Sequence, residues 1–140
     1  TTAFNREGFL IATKQTSATL ANRLLEVYPH PALLALLDRT YRVPYKVGNT
    51  RRYWPDRTRQ GRIDALLSEY AAIHEALVNV FGPIGVPLPT ADNGLTFSAL
   101  KCFEDALDAL VCAWVGVCYM QGTAIAYGDD TAVIWCPSDA

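Results

Sequence analysis

A long apolar run with acids at its head constrains the fold of this chain more than any other feature. The run begins at Glu104, and after Asp108 no charged residue appears until Asp129. A helix that is apolar all round belongs inside a protein. Asp105 and Asp108 are three positions apart and share one helical face, whereas Glu104 is offset and is interpreted as a neighbour of these acids. Because buried charge is costly unless it is paired or bound to a metal, the pattern indicates a site.

The composition describes one domain with a sizeable core. The chain has 140 residues, of which 51% are hydrophobic, and a net charge of −2. No apolar run reaches the length of a membrane span, and no leader sequence opens the chain. We therefore expect a soluble, cytoplasmic protein without a membrane partner. Its four cysteines form no C-x-x-C pair and are predicted to be reduced core thiols rather than disulfides.

One segment, residues 38–62, is strongly basic although the whole chain is slightly acidic. We call it the basic segment; it carries eight basic and two acidic residues, and four aromatic residues are interleaved with them. Arginines mixed with aromatic residues suit phosphate contacts and base stacking. The alternative is a solvated loop whose arginines balance the acidic remainder of the chain.

The pattern of apolar and turn residues predicts alternating strands and helices. Strands are expected at 9–12, 24–28 and 132–136, and helices at 31–37, 62–81 and 97–120. Thr96 is the predicted N-cap of the last helix and Gly122 its stop signal. Residues 42–60 are predicted to be a long irregular connection.

The strand at 24–28 holds a second unusual acid. Its near-continuous apolar run is typical of a strand covered on both faces, yet Glu26 interrupts it, and glutamate is rarely buried without a partner. Pairing with Arg23 is one explanation. The other is a shared site, because carboxylates from separate elements can hold Mg²⁺. Two such ions can activate a water and stabilise the leaving oxygen in phosphodiester cleavage.

Several motifs together resemble the domain-of-unknown-function 429 family. They are E-V-Y-P-H-P-A from position 26, V-P-Y-K from 43, L-K from 100, E-D-A-L-D-A from 104 and I-W-C-P from 134. That family is described as a predicted nuclease with a ribonuclease H-like fold. The resemblance therefore implies an α/β domain of ribonuclease H-like type that hydrolyses phosphodiester bonds in DNA or RNA.

The same resemblance suggests which residues form the site. The D-x-x-D pattern resembles the resolvase branch of the ribonuclease H-like superfamily, in which a strand glutamate and aspartates of the last helix bind metal. By position, Glu26 would be the strand ligand, and Asp105 and Asp108 the helix ligands, of a catalytic Mg²⁺ or Mn²⁺ site. The basic segment, independently of the resemblance, supplies the residues expected to contact nucleic acid: Lys46, Arg51, Arg52, Arg57 and Arg62.

The chain departs from the superfamily pattern in its early part. The first strand normally supplies a further aspartate, but the first aspartate here is Asp38, beyond the Glu26 strand. Either the chain is the C-terminal portion of a longer domain, which we favour, or its metal site is degenerate. A domain without its N-terminal strands would have an exposed sheet edge, which favours pairing with a second copy.

Three functional hypotheses stay open at the level of sequence. The first is a metal-dependent nuclease. The second is a nucleic-acid-binding module without catalysis, which depends on the basic segment alone. The third is an interaction domain in which the acids only complement the dipole at the start of their helix.

Overall fold

The computed structural model of the chain describes residues 2–15, 22–91 and 95–138, and its architecture is mixed α/β. The helices are α1 (Thr2–Arg6), α2 (Pro29–Leu36), α3 (Thr50–Tyr53), α4 (Arg59–Phe81) and α5 (Phe97–Gln121), with a 3₁₀ turn at Val47–Asn49 before α3. The strands are β1 (Leu10–Ile11), β2 (Arg23–Leu24), β3 (Ala124–Gly128) and β4 (Val133–Pro137).

Helix α5 begins and ends at the residues that the sequence predicts. The Thr96 hydroxyl accepts a hydrogen bond from the Ala99 N–H at 3.1 Å, which satisfies one of the unpaired donors of the first turn. Gly122 ends the helix in the left-handed conformation, with φ at 74°, where a residue with a Cβ would be strained. The face of α5 that points into the core carries Leu100, Phe103, Glu104, Leu107, Val111, Val115, Cys118 and Tyr119.

Helix α4 packs against α5 and α2 through an apolar stripe. The buried members of the stripe include Ile63, Leu66, Tyr70, Ile73 and Leu77. The helix begins three residues before the predicted start at 62, because the Thr58 hydroxyl caps it by accepting from the Gly61 N–H. The central part of the core therefore lies between these three helices, and the two C-terminal strands, 124–128 and 133–137, pack against α5.

The strands form two small sheets that one bridge connects. β1 and β2 pair in parallel, and β3 and β4 form an antiparallel hairpin. Val27 makes a parallel bridge to Trp135 of β4, where the Trp135 N–H donates to the Glu26 carbonyl at 2.9 Å. The Trp135 indole N–H also donates to the Ala12 carbonyl at 3.2 Å. Trp135 thus holds both sheets together.

The strand predicted at 24–28 is shorter and less covered than expected. Only Arg23–Leu24 forms a ladder, followed by the single bridge at Val27, and the Glu26 and Tyr28 side chains are exposed. The expectation of a strand covered on both faces is therefore wrong for the described residues. The sheet is narrow here because β1 offers only two residues for pairing.

The β3–β4 hairpin contains one strand, β3, that the sequence pattern does not predict. Gly128 takes a φ of 140°, and a Cβ at this position would lie 2.1 Å from the Ala132 carbonyl oxygen. The Asp129 carboxylate then accepts from the N–H groups of Thr131 and Ala132 at 2.8 and 3.1 Å. This turn places β3 against β4, and β4 covers the end of α5 through the Trp135 and Tyr119 rings, whose centroids are 4.7 Å apart.

The four cysteines are all free thiols, but they are not all core residues. Cys118 and Cys136 are buried, Cys112 is half-buried and Cys102 is exposed. Within the ranges that the structure covers, no helix has the length and hydrophobicity needed to cross a membrane.

Candidate functional site

Three carboxylates of α5 converge near the beginning of the helix. Glu104, Asp105 and Asp108 each offer an oxygen atom, and these atoms lie within 4.8 Å of one another. Their exposure differs sharply: the side chain of Glu104 is 2% exposed, that of Asp108 22% and that of Asp105 62%. We call this group the acid cluster. It could hold a metal ion, because carboxylate oxygens are the ligands that hard cations prefer.

Three consecutive residues from the basic segment, Tyr45, Lys46 and Val47, bind two members of the acid cluster. We call them the clasp. The Tyr45 hydroxyl donates to Asp108 Oδ1 at 2.8 Å, and the Val47 N–H donates to Glu104 Oε2 at 2.7 Å. Between them, the Lys46 ammonium donates to Asp108 Oδ2 and lies 3.1 Å from Glu104 Oε1. The clasp therefore pairs the buried charge of Glu104, as its burial requires.

A second lysine neutralises the cluster from the same helix. The Lys101 ammonium donates to Glu104 Oε1 at 2.9 Å and to Asp105 Oδ1 at 2.5 Å. These are contacts to the third and fourth residues along the helix, and the Lys101 side chain is half exposed. Three carboxylates and two ammonium groups leave the group with one net negative charge, so it retains attraction for a cation.

The charges of the cluster perturb the groups around it. Burial raises the pKa of Tyr45, and the neighbouring Asp108 carboxylate raises it further. Burial lowers the pKa of Lys46, but the hydrogen bond to Asp108 and the charges of Asp108 and Glu104 outweigh that effect and raise it. Burial and the charge of Glu104 also raise the pKa of Tyr70. Perturbed groups of this kind are common at functional sites.

His30, in the first turn of α2, lies in the electrostatic field of the clasp. Burial lowers its pKa, and the positive charges of Arg42 and Lys46 lower it further. Because a lowered pKa favours the neutral imidazole, His30 does not add positive charge near the acid cluster at neutral pH.

The arginines predicted to contact nucleic acid fall into two groups. Arg51 and Arg52 lie exposed on α3, directly after the clasp and the 3₁₀ turn, and their side chains make no hydrogen bond or ion pair with any described residue. The guanidinium of Arg57 instead packs over the Trp54 ring at 5.6 Å, and Arg62 donates to the Arg57 carbonyl at 2.7 Å. Lys46, the fifth predicted contact, is engaged with the acids.

The structure brings together two of the three predicted metal ligands. The third member of the acid cluster is an acid that the sequence does not mark as a ligand. Asp105 and Asp108 belong to the acid cluster, but the exposed Glu26 carboxylate is not a member of it. Glu104, interpreted from sequence as an offset neighbour, is the most buried acid. A signal for it exists in the sequence: Glu104 precedes Asp108 by four positions and follows Phe103 in the buried stripe.

A cavity of about 840 Å³ lies apart from these charges. It is formed by α2, α5 and the β3–β4 hairpin, and its walls include Leu34, Trp114, Tyr127 and Ile134. None of the acid-cluster residues lines this cavity. The chemistry considered below therefore depends on the acid cluster and the exposed arginines beside it.

Comparison with known proteins gives a family but no characterised relative. The family described as "Protein of unknown function (DUF429)" matches residues 5–132 of the chain. Neither a curated protein nor a solved structure matches the chain significantly.

Proposed function

Since the chain belongs to the DUF429 family of proteins of unknown function, we propose that it is a divalent-metal-dependent nuclease of the ribonuclease H-like superfamily. In this proposal the acid cluster binds Mg²⁺ or Mn²⁺ and the exposed arginines of α3 bind the phosphate backbone of a nucleic acid.

The observation that carries the proposal is that the segment bound to the acid cluster leads directly into two exposed arginines, for which the described residues provide no hydrogen bond or ion pair. Val47, which binds Glu104, begins the 3₁₀ turn that leads into α3, and α3 presents Arg51 and Arg52 to solvent. Metal-dependent phosphodiester cleavage needs carboxylates for the cation and positive side chains for the backbone. Both occur here within a short stretch of structure.

The donor set of the acid cluster fits a hard divalent cation. Glu104, Asp105 and Asp108 supply only oxygen atoms, and Mg²⁺ keeps several waters, so three carboxylates suffice. A bound cation would supply an activated water and stabilise the leaving oxygen. The chain itself orients Asp108 through Tyr45 and positions the substrate through Arg51 and Arg52. The family resemblance adds Glu26 as a ligand, which a Glu26→Gln variant tests.

Metal binding is tested by calorimetry with Mn²⁺ on the whole chain. Asp108→Asn should lower the affinity about tenfold or more, because it removes a charged ligand that is partly shielded from solvent. Glu75→Gln, an exposed acid of α4, is the matched control and should bind Mn²⁺ like the wild type. Failure of the wild type to bind Mn²⁺, or equal affinity in Asp108→Asn, would contradict the proposal.

Nucleic-acid binding is tested with labelled single-stranded and duplex DNA and RNA. Neutralising Arg51 and Arg52 to glutamine should weaken binding and reduce the slope of log K against log salt by about two, since each phosphate contact contributes about 0.9. Arg6→Gln, an exposed arginine of α1, serves as the control. Cleavage of the same probes in Mn²⁺ identifies the preferred substrate.

A non-catalytic nucleic-acid-binding module is the second candidate. It is favoured by the two lysines that already neutralise most of the acid cluster. This candidate predicts salt-sensitive binding that Asp108→Asn leaves intact, without Mn²⁺ uptake and without cleavage. The calorimetric and cleavage measurements therefore separate the two functions.

A further inference from the structure

We propose that Lys46 is a tethered counter-cation that competes with a divalent cation for Glu104 and Asp108 and links cation binding to the position of α3. The inference rests on the proposed metal-binding function. Lys46 is a positioning residue in this scheme, because it acts through the acids and through the segment that follows it.

The position of the Lys46 ammonium is the first argument. It contacts one oxygen of Asp108 and one of Glu104, two acids that are four positions apart on α5. It also lies 4.5 Å from the centre of the Tyr45 ring. These are two of the four carboxylate oxygens that Glu104 and Asp108 could offer to a cation. Because a divalent cation and the ammonium would repel each other at this short range, we expect the ammonium to move away from the two acids when a cation binds there.

The attachment of Lys46 distinguishes it from Lys101, which also touches the acid cluster. Lys101 is half exposed and reaches Glu104 and Asp105 from the same helix, so it can turn into solvent without moving the backbone. Lys46 lies between Tyr45 and Val47, which both bind the same two acids. We therefore expect displacement of the Lys46 ammonium to strain the hydrogen bonds that Tyr45 and Val47 make to these acids.

The clasp connects the acid cluster to the arginines of α3. Val47 begins the 3₁₀ turn, and the Thr50 hydroxyl donates back to the Val47 carbonyl at 3.1 Å. Arg51 and Arg52 follow Thr50 directly. A shift of the clasp on cation binding is therefore transmitted over one short turn to the residues proposed to hold phosphate. If cation binding changes the affinity of α3 for nucleic acid by some factor, bound nucleic acid must change the affinity for the cation by the same factor.

The test compares two variants that each remove one positive charge from the same cluster. In Mn²⁺ calorimetry, Lys46→Met should raise the affinity about tenfold, and Lys101→Met only about twofold, because an exposed ion pair is weak. Wild-type and variant proteins are checked for folding by circular dichroism. Lys46→Arg, which keeps the charge, should not bind Mn²⁺ more tightly than the wild type.

A second readout follows Lys46 itself in the wild type. In ¹⁵N-lysine NMR, Mg²⁺ should shift the Lys46 ammonium signal, and the Val47 amide signal should move with the same midpoint. If Mn²⁺ binds the wild type and Lys46→Met equally, or the Lys46 signal stays unchanged on saturation, the competition is wrong while the nuclease proposal stands. If neither protein binds Mn²⁺, both proposals fail.

Discussion

At the scale of single residues, Glu104 is the acid on which the local structure depends most. Its carboxylate is almost fully buried, accepts from Lys101 and the Val47 N–H, and forms an ion pair with Lys46 at 3.1 Å. Asp105, its neighbour in sequence, is 62% exposed, and among the described residues its carboxylate forms an ion pair only with Lys101. Two adjacent acids of one helix therefore contribute to stability in very different ways.

This contrast gives a stability prediction. Glu104→Ala should lower the free energy of unfolding by about 3–5 kcal/mol, because it leaves the clasp with an unsatisfied N–H and breaks a buried ion pair. Asp105→Ala should cost less than about 1 kcal/mol, as is typical of exposed pairs. Urea denaturation of both variants measures the difference. Similar losses of unfolding free energy in the two variants would show that the buried contacts of Glu104 do not stabilise the fold more than the exposed contact of Asp105.

Tyr45 and Lys46 make stability depend on alkaline pH. The folded state raises the pKa of both groups, above ordinary values of 10.0 and 10.5. Their stabilisation is complete below these values and is lost as pH rises above them, since only the unfolded state releases the protons. Above pH 10 the unfolding free energy should decrease as pH rises. Tyr45→Phe should make this slope less steep by about 1 kcal/mol per pH unit.

Urea denaturation at several pH values between 8 and 11.5 checks this dependence. Tyr70, whose pKa is also raised, remains in the variant, so the slope should decrease without vanishing. An unchanged slope in Tyr45→Phe would mean that Tyr45 ionises equally in both states.

At the scale of elements, α5 carries both its own end signals and the acid cluster. Thr96→Ala should cost about 1 kcal/mol through the lost N-cap bond, and Gly122→Ala about 1–2 kcal/mol through left-handed strain. A helix of 25 residues is about 37 Å long, so the two effects should add in the double variant. Denaturation midpoints test additivity, with Thr96→Ser as a control that keeps the hydroxyl. If the double variant loses much less unfolding free energy than the sum of the two single variants, the two ends of the helix are not independent.

Local signals explain which elements the sequence could predict. The ends of α5 follow from Thr96 and Gly122, and β4 lies within one residue of its predicted range. The sequence does not predict β3, although small and large residues alternate in Ala124–Gly128 and the strand leads into a Gly-Asp-Asp turn. The burial of Glu104 depends on Lys46 and Val47, which lie 58 and 57 positions away in the chain. No local pattern reports such a contact, so the site could be predicted only in part.

At the scale of the whole molecule, the two narrow sheets leave the outer edge of β3 without a neighbouring strand among the described residues. In the described part of the chain β3 pairs only with β4, and Ile125 and Tyr127 on β3 are 44% and 58% exposed. The strand has no charged residue or proline to protect its edge. Pairing of two copies through a sheet edge remains a prediction, and the outer edge of β3 is the place where we test it.

Sedimentation experiments test this pairing. We predict that the wild type forms dimers as its concentration increases, and that Ile125→Lys shifts it to the monomer, because a charge at the edge opposes pairing. Thr131→Lys, at the exposed hairpin turn, adds the same charge away from the edge and should leave the dimer intact. A wild type that stays monomeric at all concentrations would exclude the pairing.

The position of Trp135 in the sequence leads us to expect that the bridge between the two sheets forms late during synthesis. Trp135 binds the backbone at Ala12 and Glu26, more than a hundred positions earlier in the chain. Ribosomes add about 5–20 residues per second, so the early strands wait several seconds for the residue that joins the two sheets. Throughout that interval the Ala12 and Glu26 carbonyls lack the N–H donors that Trp135 gives them in the finished fold. We therefore expect the two sheets to associate only after Trp135 has left the ribosome.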